Sequence, residues 1–274
     1  MNKGDVVMDS YTLKGKDLLY IIPIGDVHRG NPSCNYEYLE YWEKMVNKIK
    51  NPKMFIYMGD MIEVGSKHVG NSIAVQDLSA DDQIIETSEF IREREDESKV
   101  ILAGNHKKRL EREFDLRVVR LLSYMTGVPY ANQYREEIKI NDQSFVISAS
   151  HGVGSNKYEH LAQGKIIRDT NQIRANLFLE GHNHRMAFFP LPVLDPTKYK
   201  GFMRQYYGFT GSFLNYSGYP DNMNLPPLPP AFQFITVDKH LNVRNIPYYI
   251  DERLPEAMED FNELALMRVE TGKL

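Results

Sequence analysis

Five hydrophobic segments of this 274-residue sequence each end in residues that can bind a metal ion. The first segment, residues 19–24, is followed by Gly25 and then by Asp26 and His28. Residues two positions apart on an extended backbone lie on the same side, so this carboxylate and this imidazole can approach one ion. An oxygen donor beside a nitrogen donor suits a first-row divalent metal. Taken alone, the tripeptide is more simply a strand end with a solvated aspartate and a hydrogen-bonded histidine.

The same arrangement recurs four times farther along the chain. The hydrophobic segments 54–58, 99–103, 145–150 and 176–180 lead into Gly59-Asp60, Gly104-Asn105-His106, His151-Gly152 and Gly181-His182-Asn183-His184. In open α/β sheets, ligands bind at the carboxyl ends of the strands. The recurrence therefore favours one shared site over five unrelated strand ends.

Strands and helices that alternate in the first half of the chain must position these residues. Helical spacing of apolar residues predicts helices over residues 35–50, about 79–97, 107–124 and 156–174. Alternating patterns predict hairpins over residues 136–150 and 231–249, whereas the prolines near residues 186–196 indicate an excursion. We therefore expect a mostly parallel sheet from the first half and a more antiparallel sheet from the second.

Length and composition are those of an ordinary globular protein, with 42% hydrophobic and 26% charged residues. We expect one domain over residues 1–250, followed by a C-terminal helix or tail over residues 251–274. The net charge of -4 argues against bulk attraction to nucleic acid, so such a partner would need a local basic groove. A lone cysteine, Cys34, and the lack of a signal or membrane-spanning pattern make the cytoplasm the expected location.

Taken in order, the five strand-end motifs resemble the signature of the calcineurin-like metallophosphoesterases. The resemblance spans residues 24–212, and five ordered elements make it specific. It implies an α/β (α+β) fold: a two-sheet β-sandwich flanked by helices on both sides. It also implies a dinuclear metal site at the carboxyl-end edge of the strands.

The resemblance also assigns roles to individual residues. Asp26, His28 and His184 would hold one metal ion, and Asp60 would bridge both ions. The ligands of the second ion would be Asn105, His151 and His182. His106 would stand just outside the coordination shell as the catalytic residue.

The chemistry of these side chains fits that division. Two carboxylates facing two divalent ions leave the site positive, which favours phosphate binding and acidifies a bridging water. His106 could contact a phosphate oxygen or protonate the departing oxygen as a general acid. A purely structural hydrogen bond at a helix start is the simpler alternative for this residue. Nitrogen and oxygen ligands suit two ions of Mn, Fe, Co, Ni or Zn, of which we expect manganese.

The sequence departs from two branches of this superfamily. Asp60 is followed by Met61-Ile62-Glu63-Val64 rather than by Val-Asp-Arg-Gly, so the arginine that clamps phosphate in the protein phosphatases is absent. The spacing looks more like that of the phosphodiesterases, which include DNA-repair exonucleases, although the aspartate usual after Gly-Asn-His in the nucleases is also missing. We therefore expect a phosphodiesterase or nuclease acting on DNA or RNA. The alternatives are a small-molecule phosphodiesterase or nucleotide phosphatase, and a non-enzymatic scaffold.

Three basic residues adjoin the predicted site residues: Arg29, Lys107 and Arg185. We expect them to form a local positive collar for a polyanionic substrate, although a solvated charged face is the simpler interpretation for Lys107, which lies on a predicted helix. No membrane partner is expected. The sequence does not fix the oligomeric state, and a homodimer is compatible with it.

Overall fold

Twelve strands form two six-stranded sheets in the part of the chain that the structure describes. This computed structural model describes residues 9–15, 17–65, 75–106, 111, 115–154, 158–194, 201–216 and 228–250. The strands are β1 (Ser10–Tyr11), β2 (Leu18–Ile24), β3 (Lys53–Tyr57), β4 (Ser98–Leu102), β5 (Tyr130–Ala131), β6 (Gln133–Ile140), β7 (Gln143–Ser150), β8 (Leu177–Glu180), β9 (Met186–Leu194), β10 (Phe202–Thr210), β11 (Ala231–Asp238) and β12 (Val243–Tyr249). The helices are α1 (Tyr36–Lys48), α2 (Ala80–Arg92), α3 (Val118–Thr126) and α4 (Glu159–Thr170).

The two sheets pack face to face through the inward side chains of their central strands. The first sheet has the order β12-β11-β2-β3-β4-β5, and the second has the order β1-β6-β7-β8-β10-β9. Because side chains alternate along a strand, Ile21 of β2 and Ile56 of β3 face Ile147 and Leu177 of the second sheet in one buried cluster. This apolar layer fixes the relative position of the strand ends that carry the predicted site residues.

Helices cover the outer face of each sheet. On the first sheet, Trp42 of α1 and Phe90 of α2 pack against Phe55 of β3 in a second buried cluster. On the second sheet, Ile166 of α4 packs with Phe178 of β8 in a third cluster. The predicted two-sheet sandwich with helices on both sides is therefore confirmed.

Two predicted helices, α1 and α2, each begin one residue after a side chain that caps them. The Asn35 side chain accepts a hydrogen bond from the Tyr38 N–H at the start of α1. Ser79 caps α2 in the same way, and α2 ends at Arg92, with a short 3-10 turn over Glu95–Glu97 before β4. A side-chain oxygen at this position satisfies one of the free amide groups of the first turn.

The helix predicted over residues 107–124 is not continuous, because Glu111 is helical but residues 115–117 are not. In the described part, α3 begins only at Val118, and Asp115 has a left-handed φ of 52° that no α-helix accommodates. Residues 107–110 and 112–114 lie outside the described part. The apolar spacing predicted the correct face of α3 but not the break that precedes it.

The parallel pairing expected for the first half of the chain is confirmed, since β2, β3, β4 and β5 are parallel neighbours. The separate, more antiparallel sheet expected from the second half is wrong. The hairpin β11–β12 joins the first sheet by pairing antiparallel with β2, and β7, β8 and β10 are parallel neighbours in the second sheet. Residues 186–194, read as an excursion because of Pro190 and Pro192, form the edge strand β9. Prolines are tolerated there because an edge strand leaves one row of amides unpaired.

The predicted C-terminal helix or tail, residues 251–274, lies outside the described residues, and the division into domains stays a prediction. None of the described helices has the length and apolar character needed to cross a bilayer.

Candidate metal centre

The loops that follow the strands are joined by backbone hydrogen bonds that run from one predicted motif to another. The Asp26 N–H donates to the Gly59 carbonyl, and the His28 N–H donates to the Asp60 carbonyl, each at 3.0 Å. The His182 N–H donates to Oδ2 of Asp26 at 2.8 Å. The first, second and fifth motifs are therefore brought to one place by hydrogen bonds from backbone amides, the last of them to the Asp26 side chain.

Left-handed backbone is concentrated in these loops. Of the ten non-glycine residues with positive φ in the described part, five are predicted metal ligands: Asp26, His28, Asp60, His182 and His184. Such conformations are unfavourable for residues with a Cβ and persist where the surrounding structure enforces them. Their concentration here indicates that the fold holds these side chains in set positions for a function.

Asp26, His28 and His184 form the first cluster. The His184 Nε2 lies 3.4 Å and the His28 Nε2 lies 3.8 Å from Asp26 Oδ1, and the two imidazole nitrogens are 3.3 Å apart. Asp26 is fully buried, yet its Oδ1 has no hydrogen-bond partner among the described residues. Burial would raise the pKa of Asp26, but the neighbouring His184 and His28 hold that pKa well below its usual range. A buried carboxylate oxygen aimed at two imidazole nitrogens fits a divalent cation.

Asp60, Asn105, His151 and His182 form the second cluster. The His151 Nδ1 lies 2.8 Å from the Met58 carbonyl, which requires a proton on Nδ1. The His151 Nε2 lies 3.1 Å from Asp60 Oδ2 and 2.9 Å from Asn105 Oδ1. In the neutral tautomer three lone pairs thus face one another, a conflict that a cation or a second proton resolves.

The second cluster also contains the His182 imidazole, whose ring centre lies 5.1 Å from that of His151. Burial and the charge of His151 lower the pKa of His182, which leaves a neutral donor. The structure therefore brings the seven predicted ligands together in the two predicted groups. Asp60 falls in the second group, and its bridging role stays a prediction.

A third buried carboxylate, Glu63, was not recognised from the sequence. Its Oε2 lies 2.8 Å from His28 Nδ1 and 3.4 Å from His106 Nδ1, and its side chain is 3% exposed. Burial would raise the pKa of Glu63, but hydrogen bonds from His106 and His28 hold it far below its usual range. The available signal was the position of Glu63 three residues after Asp60. This segment of the sequence was considered only for the arginine that it lacks.

His106 lies between Glu63 and the second cluster. Its Nδ1 is 3.1 Å from the Glu63 carbonyl oxygen, and its backbone N–H donates to Asp60 Oδ1 at 3.0 Å. The His106 Nε2 is 3.9 Å from Asp60 Oδ2, and its ring centre is 4.6 Å from that of His28. The imidazole therefore adjoins both groups, and its place just outside the ligand set stays a prediction.

One glycine is required for this arrangement. A Cβ on Gly104 would overlap the Asp60 carboxylate, and its neighbours Asn105 and His106 reach the site only because the backbone passes so close. The first position of the Gly-Asn-His motif is therefore glycine because any side chain there would collide with Asp60.

The predicted collar of basic residues is only partly described. Arg29 pairs with Glu86 at 2.8 Å, its side chain is 13% exposed, and its guanidinium lies over the rings of Tyr36 and Phe90. The positive charge of Arg29 is therefore balanced within the fold. Arg185 is half-buried, and its N–H donates to Asn183 Oδ1. Lys107 lies outside the described residues, and the role of all three in substrate binding stays a prediction.

A polar cleft of about 470 Å³ opens beside the second cluster. Asn105 and His151 line its side nearest the metal site, and Glu180, Lys165 and Asp169 line it farther out. Burial raises the pKa of Glu180 to about 7. This cleft was not predicted, because Glu180 reads in the sequence simply as the last residue of a strand.

These features define a protein with a two-sheet sandwich and paired clusters of histidine and acidic residues at one edge. A sequence model described as calcineurin-like phosphoesterase matches residues 19–207, and the chain belongs to this family. The predicted family resemblance is thus confirmed. The family and the site together support a metal-dependent hydrolase of phosphoric esters.

Comparison with solved structures finds similar folds at low sequence identity. Vacuolar protein sorting 29 from Cryptosporidium parvum is 14% identical with a TM-score of 0.47, over 86% of this chain and 92% of that chain. A metallophosphoesterase from Sphaerobacter thermophilus is 12% identical with a TM-score of 0.43, over 91% of this chain and 98% of that chain. No curated protein matches the sequence.

Proposed function

We propose that this chain hydrolyses phosphodiesters with two bound divalent ions. The observation that carries the proposal is the pair of donor clusters, each with a carboxylate oxygen opposite imidazole nitrogens. The two divalent ions exceed in charge the three buried carboxylates of the site, so the centre stays attractive to a phosphate anion. When bound, such ions acidify a water molecule and offset the charge of the reacting phosphate.

His106 is the residue that we assign to proton transfer. The Glu63 carbonyl oxygen accepts from Nδ1, so that nitrogen keeps its proton and Nε2 is the atom that exchanges one. The Nε2 atom faces the Asp60 side of the site, where a phosphate bound by both clusters would carry its leaving oxygen. A proton donated there neutralises the departing alkoxide.

The polar cleft supports a diester over a monoester. A diester carries a second alcohol group that must be accommodated beside the phosphate, and the cleft adjoins Asn105 and His151 of the second cluster. A monoester has no such group. The absence of a phosphate-clamping arginine after Asp60 points the same way.

Nucleic acid is the substrate class that we favour, and a small phosphodiester or a nucleotide is the second candidate. A specific observation favours the second candidate. Arg29, a member of the proposed collar, is paired with Glu86, so its charge is balanced within the fold rather than directed to a polyanion. A scaffold without catalysis is disfavoured because none of the seven predicted ligands is replaced. Manganese is the proposed metal on ligand chemistry alone, and iron, zinc, nickel and cobalt fit the same donors.

An activity panel with each metal tests the proposal. The substrates are bis(4-nitrophenyl) phosphate, 4-nitrophenyl phosphate, single- and double-stranded DNA, RNA and cyclic nucleotides. We expect the diester to be cleaved at a higher kcat/KM than the monoester, with Asp60→Ala as the inactive control. Preference for the monoester would contradict the diester assignment, and inactivity on all substrates with two ions bound would favour a scaffold.

A further inference from the structure

We propose that the cleft beside the second donor cluster binds the second alcohol group of the diester. Glu180 accepts hydrogen bonds from the hydroxyl or amino groups of this alcohol. This inference rests on the proposed function and makes it more specific. It names a substrate with hydrogen-bond donors on its alcohol, such as a nucleoside. The grounds are the position of Glu180, its unpaired carboxyl group and the size of the cleft.

The alternation of side chains along β8 directs the Glu180 side chain away from the two donor clusters. Along β8, Phe178 and Glu180 share the outer face of the sheet, where Phe178 packs under α4. Ser150 of β7 is the direct neighbour of Glu180 across the parallel pair. The chain then turns through Gly181 to His182 in the second cluster. Glu180 therefore stands in the wall of the cleft, next to the site but with its side chain outside the ligand set.

The Glu180 side chain is largely buried in the wall of the cleft, and its carboxyl group has no hydrogen-bond partner among the described residues. The residue is 7% exposed, and no described residue donates a hydrogen bond to its carboxyl oxygens. The nearby Lys165 amine is paired instead with Asp169 Oδ2 at 2.6 Å. Polar groups with little access to water are nearly always hydrogen-bonded, so a largely buried carboxyl group that no described residue contacts, in the wall of a cleft, fits a ligand that supplies the donors.

Gly152 leaves the space that the Glu180 side chain occupies. A Cβ on Gly152 would lie 2.7 Å from Cγ and 2.9 Å from Oε1 of Glu180. With a φ of 88°, this residue follows His151 directly. The backbone beside a metal-site histidine is therefore shaped around this carboxyl group.

The cleft is large enough for more than a phosphate. Its volume of about 470 Å³ lies within the roughly 300 to 1,000 Å³ typical of small-molecule sites. Its walls combine polar groups with apolar ones, as a sugar or a base requires: Gln133, Ser148, Ser150, Ala149, Val153 and Ile173. With the phosphate at the two clusters, the ester alcohol would extend past Asn105 toward Glu180.

Equilibrium titration with nucleosides tests this inference separately from catalysis. Metal-loaded protein is titrated with adenosine, with 2′,3′-dideoxyadenosine and with purine riboside, which lacks the amino group. We expect adenosine to bind, and one of the other two to bind about tenfold more weakly. Weaker binding of the dideoxy compound assigns the contact to the sugar, and weaker binding of purine riboside assigns it to the base.

The variant Glu180→Gln keeps the size of the side chain but replaces one acceptor oxygen with an amino group. We expect it to lose about tenfold in adenosine affinity and to abolish the discrimination. The exposed Glu89→Gln on α2 is the matched control, and metal content and Tm show that both variants are folded and loaded. Equal adenosine affinity in wild type and Glu180→Gln, or no nucleoside binding at all, would overturn the inference.

Hydrolysis of bis(4-nitrophenyl) phosphate in the same preparations reports on the proposed function. Turnover of this diester without Glu180-dependent nucleoside binding would remove the inference and leave the phosphodiesterase. Glu180-dependent binding without turnover of any ester would support the cleft and contradict the proposed catalysis.

Discussion

The His106 side chain differs from its neighbours because it approaches both clusters while its Nδ1 is held by a carbonyl oxygen. We expect His106→Ala to lower kcat by about 10²- to 10⁴-fold, the range for loss of a general acid. Two bound ions should remain, since the remaining ligands are unchanged. Metal analysis beside steady-state kinetics checks this prediction, and an equal loss of metal and of turnover would make His106 a ligand instead.

Glu63 is predicted to act by positioning two imidazoles. Its carboxylate contacts His28 Nδ1 and His106 Nδ1 from the buried side. Partners of this kind orient metal-binding histidines, and their loss typically costs about 10- to 100-fold in affinity or activity. We expect Glu63→Gln to lower the affinity for metal within that range, measured by calorimetric titration.

Two controls accompany the Glu63 variant. Glu89→Gln, on the exposed face of α2, should leave the metal affinity unchanged, and Tm should show that Glu63→Gln is folded. Wild-type metal affinity and wild-type turnover in folded Glu63→Gln would contradict the positioning role.

At the scale of single residues, the sequence predicted the metal-binding side chains better than the residues that surround them. The donors follow hydrophobic segments and glycines, a pattern visible in one dimension. Glu63 and Glu180 were missed because their roles come from neighbours far away in sequence: His106 for the first, and Gly152 with Lys165 for the second. Arg29 adjoins a ligand in sequence, yet its side chain turns to Glu86, which no local pattern could show.

Among the elements, α2 connects helix stability to the site. Gln83 of this helix accepts a hydrogen bond from the Val64 N–H, the residue that follows Glu63. The helix begins at Ser79, whose Oγ accepts from the Asp82 N–H at 3.1 Å. The cap therefore helps to hold the first turn that precedes this contact.

Removal of the Ser79 cap should lower the stability of the protein measurably. We expect Ser79→Ala to lower the free energy of unfolding by about 1 kcal/mol, and Tm by roughly 2–4 °C. Ser123→Ala within α3 is the control, because alanine favours a helix interior and no drop is expected. Denaturant unfolding of both variants measures the difference, and an equal change in the two would contradict the capping role.

Elements with strong local signals were predicted best. The side chains of Asn35 and Ser79 cap the predicted helices α1 and α2, whereas the apolar pattern before α3 did not show that Asp115 leaves the helical region. Strand β9 was missed because its prolines disrupt the alternation, and only pairing with β10 reveals an edge strand. Boundaries of this kind depend on tertiary partners that a sequence pattern does not contain.

For the whole molecule, the architecture, the two hairpins and the parallel pairing of β2 to β5 were predictable, but the placement of the second hairpin was not. The predicted sandwich is held together by apolar side chains that face inward from both sheets, and the hydrophobic segments of the sequence indicate these side chains. The position of the hairpin β11–β12 beside β2 is a contact across more than 200 residues, and no local signal specifies it. The metal site depends on the sandwich, since strands from both sheets deliver its ligands.

The number of divalent ions bound per chain tests the central claim most directly. Metal-free protein is dialysed against excess Mn²⁺, and the bound metal is counted by mass spectrometry; zinc serves as a second ion. The two donor clusters predict two ions for the wild type and one for Asp26→Ala, which loses the only carboxylate of the first cluster. One ion or none in the wild type at saturating metal would contradict the dinuclear centre.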